Sequence, residues 1–126
     1  MARTPGQQQA TGFAKRVLVV DPDQNAWEVG ARLLIAQGYV VHRISCIADA
    51  PPRWPQHLYD LVVVATDDPA NSELVEFCNK LAQVQPPVRV ALLASGNPSR
   101  NPSGAAILYR DWPAAEIAAG ITRLLR

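Results

Sequence analysis

The sequence has few of the residues that bind metals or carry redox chemistry. Its 126 residues include two cysteines, Cys46 and Cys78, and two histidines, His42 and His57. None of the four has further ligands at a metal-binding spacing. We therefore interpret both cysteines as reduced core thiols and both histidines as surface residues. We expect no metal and no cofactor.

Long hydrophobic runs are also absent. No stretch approaches the roughly 20 apolar residues that a helix needs to cross a bilayer. The N-terminus lacks the apolar core of a secretory signal. We expect a cytoplasmic protein without a membrane partner.

Neither sign of charge is in excess. Twelve basic and eleven acidic residues leave a formal net charge of +1, whereas a nucleic-acid-binding domain needs a basic face. The sequence contains neither G-x-G-x-x-G nor G-x-x-x-x-G-K-[ST], the loops that cradle phosphates. No nucleophile with a partner base can be identified, so we expect a non-enzymatic domain that does not bind nucleic acid.

What the sequence does contain is a series of short apolar runs within a 48% hydrophobic composition. We interpret residues 1–14, which hold three consecutive glutamines, as a flexible leader, and residues 15–126 as one globular domain. Runs that are largely β-branched and bounded by polar residues predict strands buried on both faces of a parallel sheet. They fall at 17–20, 39–44, 61–64, 88–94 and 105–109.

Helical spacing between these runs predicts helices over 26–37, from about Pro69 to a stop at Pro86 and Pro87, and from 113 onwards. In the first helix Val29 and Leu33 should face the sheet, leaving Trp27, Leu34 and Ile35 to the side or outside. Three prolines in 51–55 predict an irregular crossover after a short helical turn. Turn-forming residues in 95–104 predict a loop where a fourth helix would stand.

Strands that alternate with helices predict a doubly wound α/β sandwich, a five-stranded parallel sheet in the order 2-1-3-4-5 with helices on both faces. Ligands of such sheets bind where the strands end. Residue 65, after the central apolar run, is an alanine. Asp67 or Asp68 should cap the next helix, with Pro69 in its first turn.

Three segments, VLVVDPD at 17–23, LLIAQGYVV at 33–41 and YDLVVVATDDP at 59–69, resemble a response-regulator receiver domain of two-component signal transduction. The resemblance runs from about residue 15 to residue 126. In that family a phosphoacceptor aspartate ends the third strand, four residues before a proline, and Pro69 places Ala65 there. The family's lysine corresponds to Arg110, and its switch hydroxyl to Ser95.

The resemblance also implies a magnesium site built from paired carboxylates, and this sequence departs from it. Asp21 is present, but Pro22 follows it and Asp23 lies one residue further, so the remnant acidic pocket is Asp21, Asp23 and Asp67. A methyl group cannot accept a phosphoryl group, and the remaining carboxylates are too few for magnesium. Asp21 and Arg110 are expected to form an ion pair worth about 1 kcal/mol or less if exposed.

The resemblance therefore implies a pseudo-receiver that works as a protein-interaction module. Trp27, Leu34 and Ile35 are the candidate contact residues, because aromatic and aliphatic side chains anchor interfaces. The partner would be a regulatory or signalling protein, further domains of a longer chain, or a second copy in a homodimer. Two alternatives stay open: an active receiver that uses Asp67 or Asp68 as phosphoacceptor, and a small-ligand-binding α/β domain.

Overall fold

A computed structural model describes residues 14–23, 25–55, 58–95 and 105–125. Strands and helices alternate along these ranges: β1 Arg16–Val20, α1 Glu28–Ala36, β2 Val40–Ile44, β3 Leu61–Thr66, α2 Ser72–Ala82, β4 Arg89–Ala94, β5 Ala106–Tyr109 and α3 Ala114–Leu125. Two 3-10 turns, Asn25–Trp27 and Ile47–Asp49, precede α1 and follow β2. The predicted leader up to residue 13, His57, and residues 96–104 of the predicted loop lie outside the described residues.

The five strands form one parallel sheet in the order β2-β1-β3-β4-β5. This confirms the predicted 2-1-3-4-5 order. β1, β3 and β4 lie inside the sheet and are covered on both faces, which explains their uninterrupted apolar runs. The register places Val20 opposite both Ile44 and Val64, so the strands end at one common edge.

Alternate residues of each strand serve two separate cores, because successive side chains point to opposite faces. One core, the α1/α3 face, holds Val17, Val19, Leu61 and Val63 with side chains of α1 and α3. The other, the α2 face, holds Leu18, Val20, Val62 and Val64 with side chains of α2. The sheet is therefore the shared middle layer of a three-layer sandwich.

Helix α1 is rotated relative to the prediction. Trp27 is 4% exposed and Leu34 is fully buried, whereas Val29 is 57% and Leu33 37% exposed. The predicted outward position of Trp27 and Leu34 is wrong. The preceding 3-10 turn carries the indole inward, and Gly30 makes room for it: a Cβ on Gly30 would lie 3.2 Å from Trp27 Cε3.

The described residues of the crossover between β2 and β3, 45–55 and 58–60, contain no α-helix, as predicted. After the 3-10 turn the chain is irregular, and Trp54 holds it to the domain through edge-on contacts with Tyr59 and Phe77 at ring-centroid distances of 5.9 and 6.2 Å. Cys78 is buried as predicted, but Cys46 is exposed. The reason is that Cys46 precedes a turn at the surface, where its Sγ donates to Asp49 Oδ2 at 3.4 Å.

The cap of α2 also differs from the prediction. The helix begins at Ser72, and Asn71 caps it by accepting a hydrogen bond from the backbone N–H of Leu74 at 3.1 Å. Asp68 accepts instead from the N–H of Ala70 at 3.0 Å, in the turn before the helix. Helix α2 starts too late in the chain for Asp67 or Asp68 to reach its free N–H groups.

None of the helices in the described ranges has both the length and the apolar character required to cross a membrane.

Candidate functional site

The carboxyl ends of β1, β3 and β5 bring three of the predicted site residues together. Asp21 follows β1, Ala65 is the penultimate residue of β3, and Arg110 follows β5. Because Val20 pairs with Val64, the next residues, Asp21 and Ala65, lie side by side on neighbouring strands. Ala65 is half-buried, so the position implied for a phosphoacceptor carries a partly covered methyl group.

Asp21 is the centre of a closed hydrogen-bond network. Its Oδ1 and Oδ2 accept from Arg110 Nη2 at 3.0 and 2.9 Å, and Oδ1 also accepts from the backbone N–H of Asp23 at 2.9 Å. Its own N–H donates to the Ile44 carbonyl at 3.0 Å, and its carbonyl accepts from Arg43 Nη1 at 2.6 Å. Every polar group of Asp21 is thereby satisfied within the protein.

The predicted ion pair of Asp21 and Arg110 is present, and only its arginine side is partly exposed. The Asp21 side chain is completely buried, while the Arg110 side chain remains 31% exposed. β5 is separated from β1 by two strands, so the arginine reaches across the ends of β3 and β4. The pair therefore closes the carboxyl edge of the sheet over the α1/α3 face.

The other predicted acidic residues are at the surface. Asp23 is exposed, and its Oδ1 accepts from the N–H of Asn25 at 3.1 Å, towards the 3-10 turn. Asp67 and Asp68 are both exposed, and Asp68 is engaged in the turn before α2. The structure thus brings Asp21 and Arg110 together and leaves Asp23, Asp67 and Asp68 at the surface.

Ser95, the predicted switch hydroxyl, directly follows β4. Its backbone N–H donates to the Thr66 carbonyl at 3.3 Å, and its side chain is exposed. Thr66, which the sequence analysis did not single out, uses its Oγ1 to accept from the N–H of Asp68 at 3.0 Å. This hydroxyl therefore shapes the loop after β3. A switch role for Ser95 stays a prediction.

A shallow cleft of about 230 Å³ opens beside Ala65, on the side of α2. Its lining combines apolar side chains with hydroxyl, thiol, amide and carboxylate groups, contributed by Pro22, Ser45, Cys46, Thr66, Asn71 and Glu73 among others. None of the described residues that line it is basic. A phosphate group would find no cation among these residues, so the cleft does not favour a phosphate-bearing ligand for the small-ligand-binding alternative.

The site does not fit the magnesium ion that the resemblance implies. Magnesium requires near-octahedral oxygen ligation, usually with one or two carboxylates. Both Asp21 oxygens already accept hydrogen bonds from the Arg110 guanidinium, whose positive charge stands where a cation would approach. Within the described ranges, no three His, Cys, Asp or Glu side chains are grouped so that they could hold a metal ion.

Sequence reasoning missed Arg43 and the exposed residues of α1. Arg43 lies one residue before the end of the edge strand β2 and donates to the Asp21 carbonyl. Its charge within a strand that has three aliphatic residues was the available signal. On α1, Ile35 is 56% exposed as predicted, and Val29 and Leu33 take the exposed places expected for Trp27 and Leu34.

Neither a protein-family model nor a curated protein matches this sequence. Solved structures do match its fold. A CheY-like response regulator receiver domain protein of Methanospirillum hungatei has a TM-score of 0.72 at 18% identity, and the match covers 90% of this chain and 94% of that one. The response regulator of Thermotoga maritima scores 0.71 at 15% identity, covering 90% and 98%.

A third structure, an orphan response regulator of H. pylori, has a TM-score of 0.68 at 19% identity and covers 89% of this chain and 97% of its own. At such low identities the likeness establishes a shared fold and leaves the function open. The fold of this chain is that of response regulator receiver domains, as the sequence predicted.

Proposed function

We propose that this chain is a receiver-type signalling domain that does not accept a phosphoryl group and acts through contacts with other proteins. The observation that supports this most strongly is the closed pair of Asp21 and Arg110 beside Ala65. Phosphoryl transfer to a receiver needs a nucleophilic carboxylate and a divalent cation at one edge of the sheet. Here the Ala65 methyl group stands in place of the carboxylate, and the Arg110 guanidinium binds Asp21 where the cation would be needed.

The chemistry follows from the charges at this edge. An acceptor carboxylate would have to attack phosphorus while a cation neutralises the phosphoryl oxygens. Ala65 supplies no oxygen, and the Arg110 charge is already neutralised by Asp21 at 2.9 Å. A phosphodonor would therefore add no charge to this edge of the sheet. Signalling would depend on the outer surfaces of the helices.

The active-receiver alternative needs Asp67 or Asp68 as acceptor. Both carboxylates are exposed, and neither lines the cleft beside Ala65. The Asp68 carboxylate also accepts the hydrogen bond that shapes the turn before α2. An acceptor at either position would work without Asp21, whose oxygens are engaged by Arg110.

Incubation with acetyl phosphate, and separately with beryllofluoride plus magnesium, tests the proposal. We expect no mass gain and no change in the backbone amide chemical shifts of residues 65–69, because the edge offers no free carboxylate. A mass gain that Asp67→Asn or Asp68→Asn removes would contradict the proposal and establish the active receiver.

A matched variant shows whether the assay can detect a response on this scaffold. Ala65→Asp combined with Pro22→Asp and Arg110→Lys restores the acceptor carboxylate, the paired carboxylates and the lysine that the resemblance implies. We expect this triple variant to respond to beryllofluoride and magnesium, whereas Arg110→Lys alone should remain inert. A response by Arg110→Lys alone would show that another acceptor exists.

A further inference from the structure

We propose that the outer surface of α1 and α3 is a homodimer interface, with a second copy of this chain as its occupant. This inference rests on the proposed contact-based function and names its partner. All of the large hydrophobic side chains that are exposed in the described residues, Val29, Leu33 and Ile35, belong to α1. Two of them, Val29 and Leu33, lie together on one face of this nine-residue helix, as is typical of a surface that another protein covers.

Two of these side chains, Val29 and Leu33, border α3. Thr122 Oγ1 donates to Gln37 Oε1 at 3.1 Å near the C-terminal ends of the helices, and Trp27 and Gly30 share a small cavity with Ala114 and Ile117 near the N-terminal ends. The helices therefore run side by side in the same direction. This register places Val29 level with Ala115 and Leu33 level with Ala119.

Val29 and Leu33 are four residues apart and so lie on one face of α1. Ala115 is exposed and Ala119 half-buried on α3. We call these four residues the α1–α3 seam. Its α3 side is made of small side chains, which allow another helix to approach closely, and its α1 side offers two large apolar side chains to cover.

The charges on α3 indicate what covers the seam. Glu116 and Arg123 are both exposed, and neither forms an ion pair with another described residue. They lie equally far from the point between Ala119 and Gly120, and seven residues of helix separate them by about 10 Å. An antiparallel α3 from a second copy, crossing at Ala119, would place each Glu116 against Arg123 of the second copy.

This arrangement has the self-complementarity that a two-fold dimer requires, because one patch meets itself. Both charge pairs form at once, small residues meet at the crossing point, and Val29 and Leu33 are covered at the sides. Ile35 lies on the opposite flank of the exposed face, separated from Val29 and Leu33 by the ion pair of Glu28 and Arg32. It should remain outside the contact.

The size of the surface predicts a weak dimer. α3 has 12 residues and is therefore about 18 Å long, and two adjacent helices are about 20 Å wide. The patch measures roughly 360 Å² in projection, less than half of the ~800 Å² that each partner buries in a standard interface. We expect association that depends on protein concentration and is sensitive to single changes.

Sedimentation equilibrium of the full chain over the micromolar range, at low and high salt, tests the proposal. We expect a monomer–dimer equilibrium. Glu116→Arg or Arg123→Glu should each raise the dimer Kd about tenfold or more, since each places like charges together twice. The double reversal Glu116→Arg with Arg123→Glu should return the Kd to within a few-fold of the original value.

The apolar half of the seam has its own matched pair of variants. Leu33→Ser should weaken the dimer about tenfold, whereas Ile35→Ser, which removes a similarly exposed side chain from the other flank, should leave the Kd unchanged. Circular dichroism and urea unfolding of the same samples show whether each variant is folded. This is needed because the charge reversals also oppose the α3 dipole.

A chain that stays monomeric at every concentration would overturn this inference, as would a dimer that is weakened by Ile35→Ser but not by the α3 reversals. Either result would leave the proposed function standing, because the beryllofluoride response reads the carboxyl edge of the sheet and not the helices. A response there would contradict the proposed function whatever the dimer does.

Discussion

Asp21 and Arg110 differ in how much water each can reach, and this difference determines what each contributes. Asp21 is completely buried, and Arg110 keeps 31% of its side chain exposed. If Asp21 loses its charge, the arginine can still be hydrated. If Arg110 is lost, the N–H of Asp23 is the one donor among the described residues that the oxygens of this buried carboxylate keep.

We therefore predict unequal losses from the two sides of the pair. Arg110→Met should lower the free energy of unfolding by about 3 kcal/mol, because it leaves an uncompensated buried charge. Asp21→Asn should lower it by about 1–2 kcal/mol. Urea unfolding of both variants at neutral pH and fixed salt measures the difference.

The double variant is the internal control for this pair. Asp21→Asn combined with Arg110→Met removes both charges and should be more stable than Arg110→Met alone. Additive losses would show that the arginine acts through packing of its aliphatic part and not through the carboxylate.

Helix α2 shows how a cap depends on the residue at which a helix begins. Asp67, Asp68 and Asn71 are all residue types that cap helices, and the sequence offers them within five positions. The turn built on Asp68 and the burial of Pro69 shift the first helical residue to Ser72. Only Asn71 then has a side-chain oxygen within reach of a free helical N–H.

We predict that Asn71→Ala lowers the free energy of unfolding by about 1 kcal/mol, the usual loss when a cap is removed. Asp67→Ala should change it by less than about 0.5 kcal/mol, as expected for an exposed surface position. Thermal and urea unfolding of the two variants provide the comparison. An equal loss for Asp67→Ala would mean that the helix is capped one turn earlier than in this structure.

Helix α1 illustrates the limit of periodicity as a guide to orientation. It carries apolar side chains all around, so its pattern allows more than one buried face. The fit of the Trp27 ring over Gly30 selects one of them. Because Trp27 is a core residue, replacing it would lower stability and would not by itself identify a contact surface.

The sheet joins two cores that are separate in space. Val62 and Val63 are neighbours on β3, yet Val62 packs on the α2 face and Val63 on the α1/α3 face. Trp54 packs against the core on the α2 face, and Trp27 belongs to the core on the α1/α3 face. The tryptophans therefore report on opposite sides of the molecule.

We predict that both sides unfold together, as expected for a single domain of this size. Variants in which Trp27 or Trp54 is the sole tryptophan, made by replacing the other two with phenylalanine, should give coincident fluorescence and circular-dichroism transitions. Val62→Ala and Val63→Ala should each lower the free energy of unfolding by roughly 2 kcal/mol, whether Trp27 or Trp54 fluorescence follows the transition. Fluorescence transitions that separate from each other would show that one core unfolds before the other.

Sequence alone was sufficient for the five strands and their parallel order, because these depend on local apolar runs and on general rules of chain handedness. The resemblance of three segments to receiver domains also placed Ala65 near the end of β3 and Asp21 opposite Arg110. The common edge at which the parallel strands end brings these positions together.

Only the tertiary structure decided how deeply Asp21 is buried, which side of α1 faces the sheet, and which residue caps α2. Each of these depends on side-chain packing: Arg110 reaching across two strands to Asp21, the Trp27 ring against Gly30, and Pro69 enclosed before α2. A linear pattern records which side chains are apolar or charged, but packing in three dimensions determines which of them exclude water.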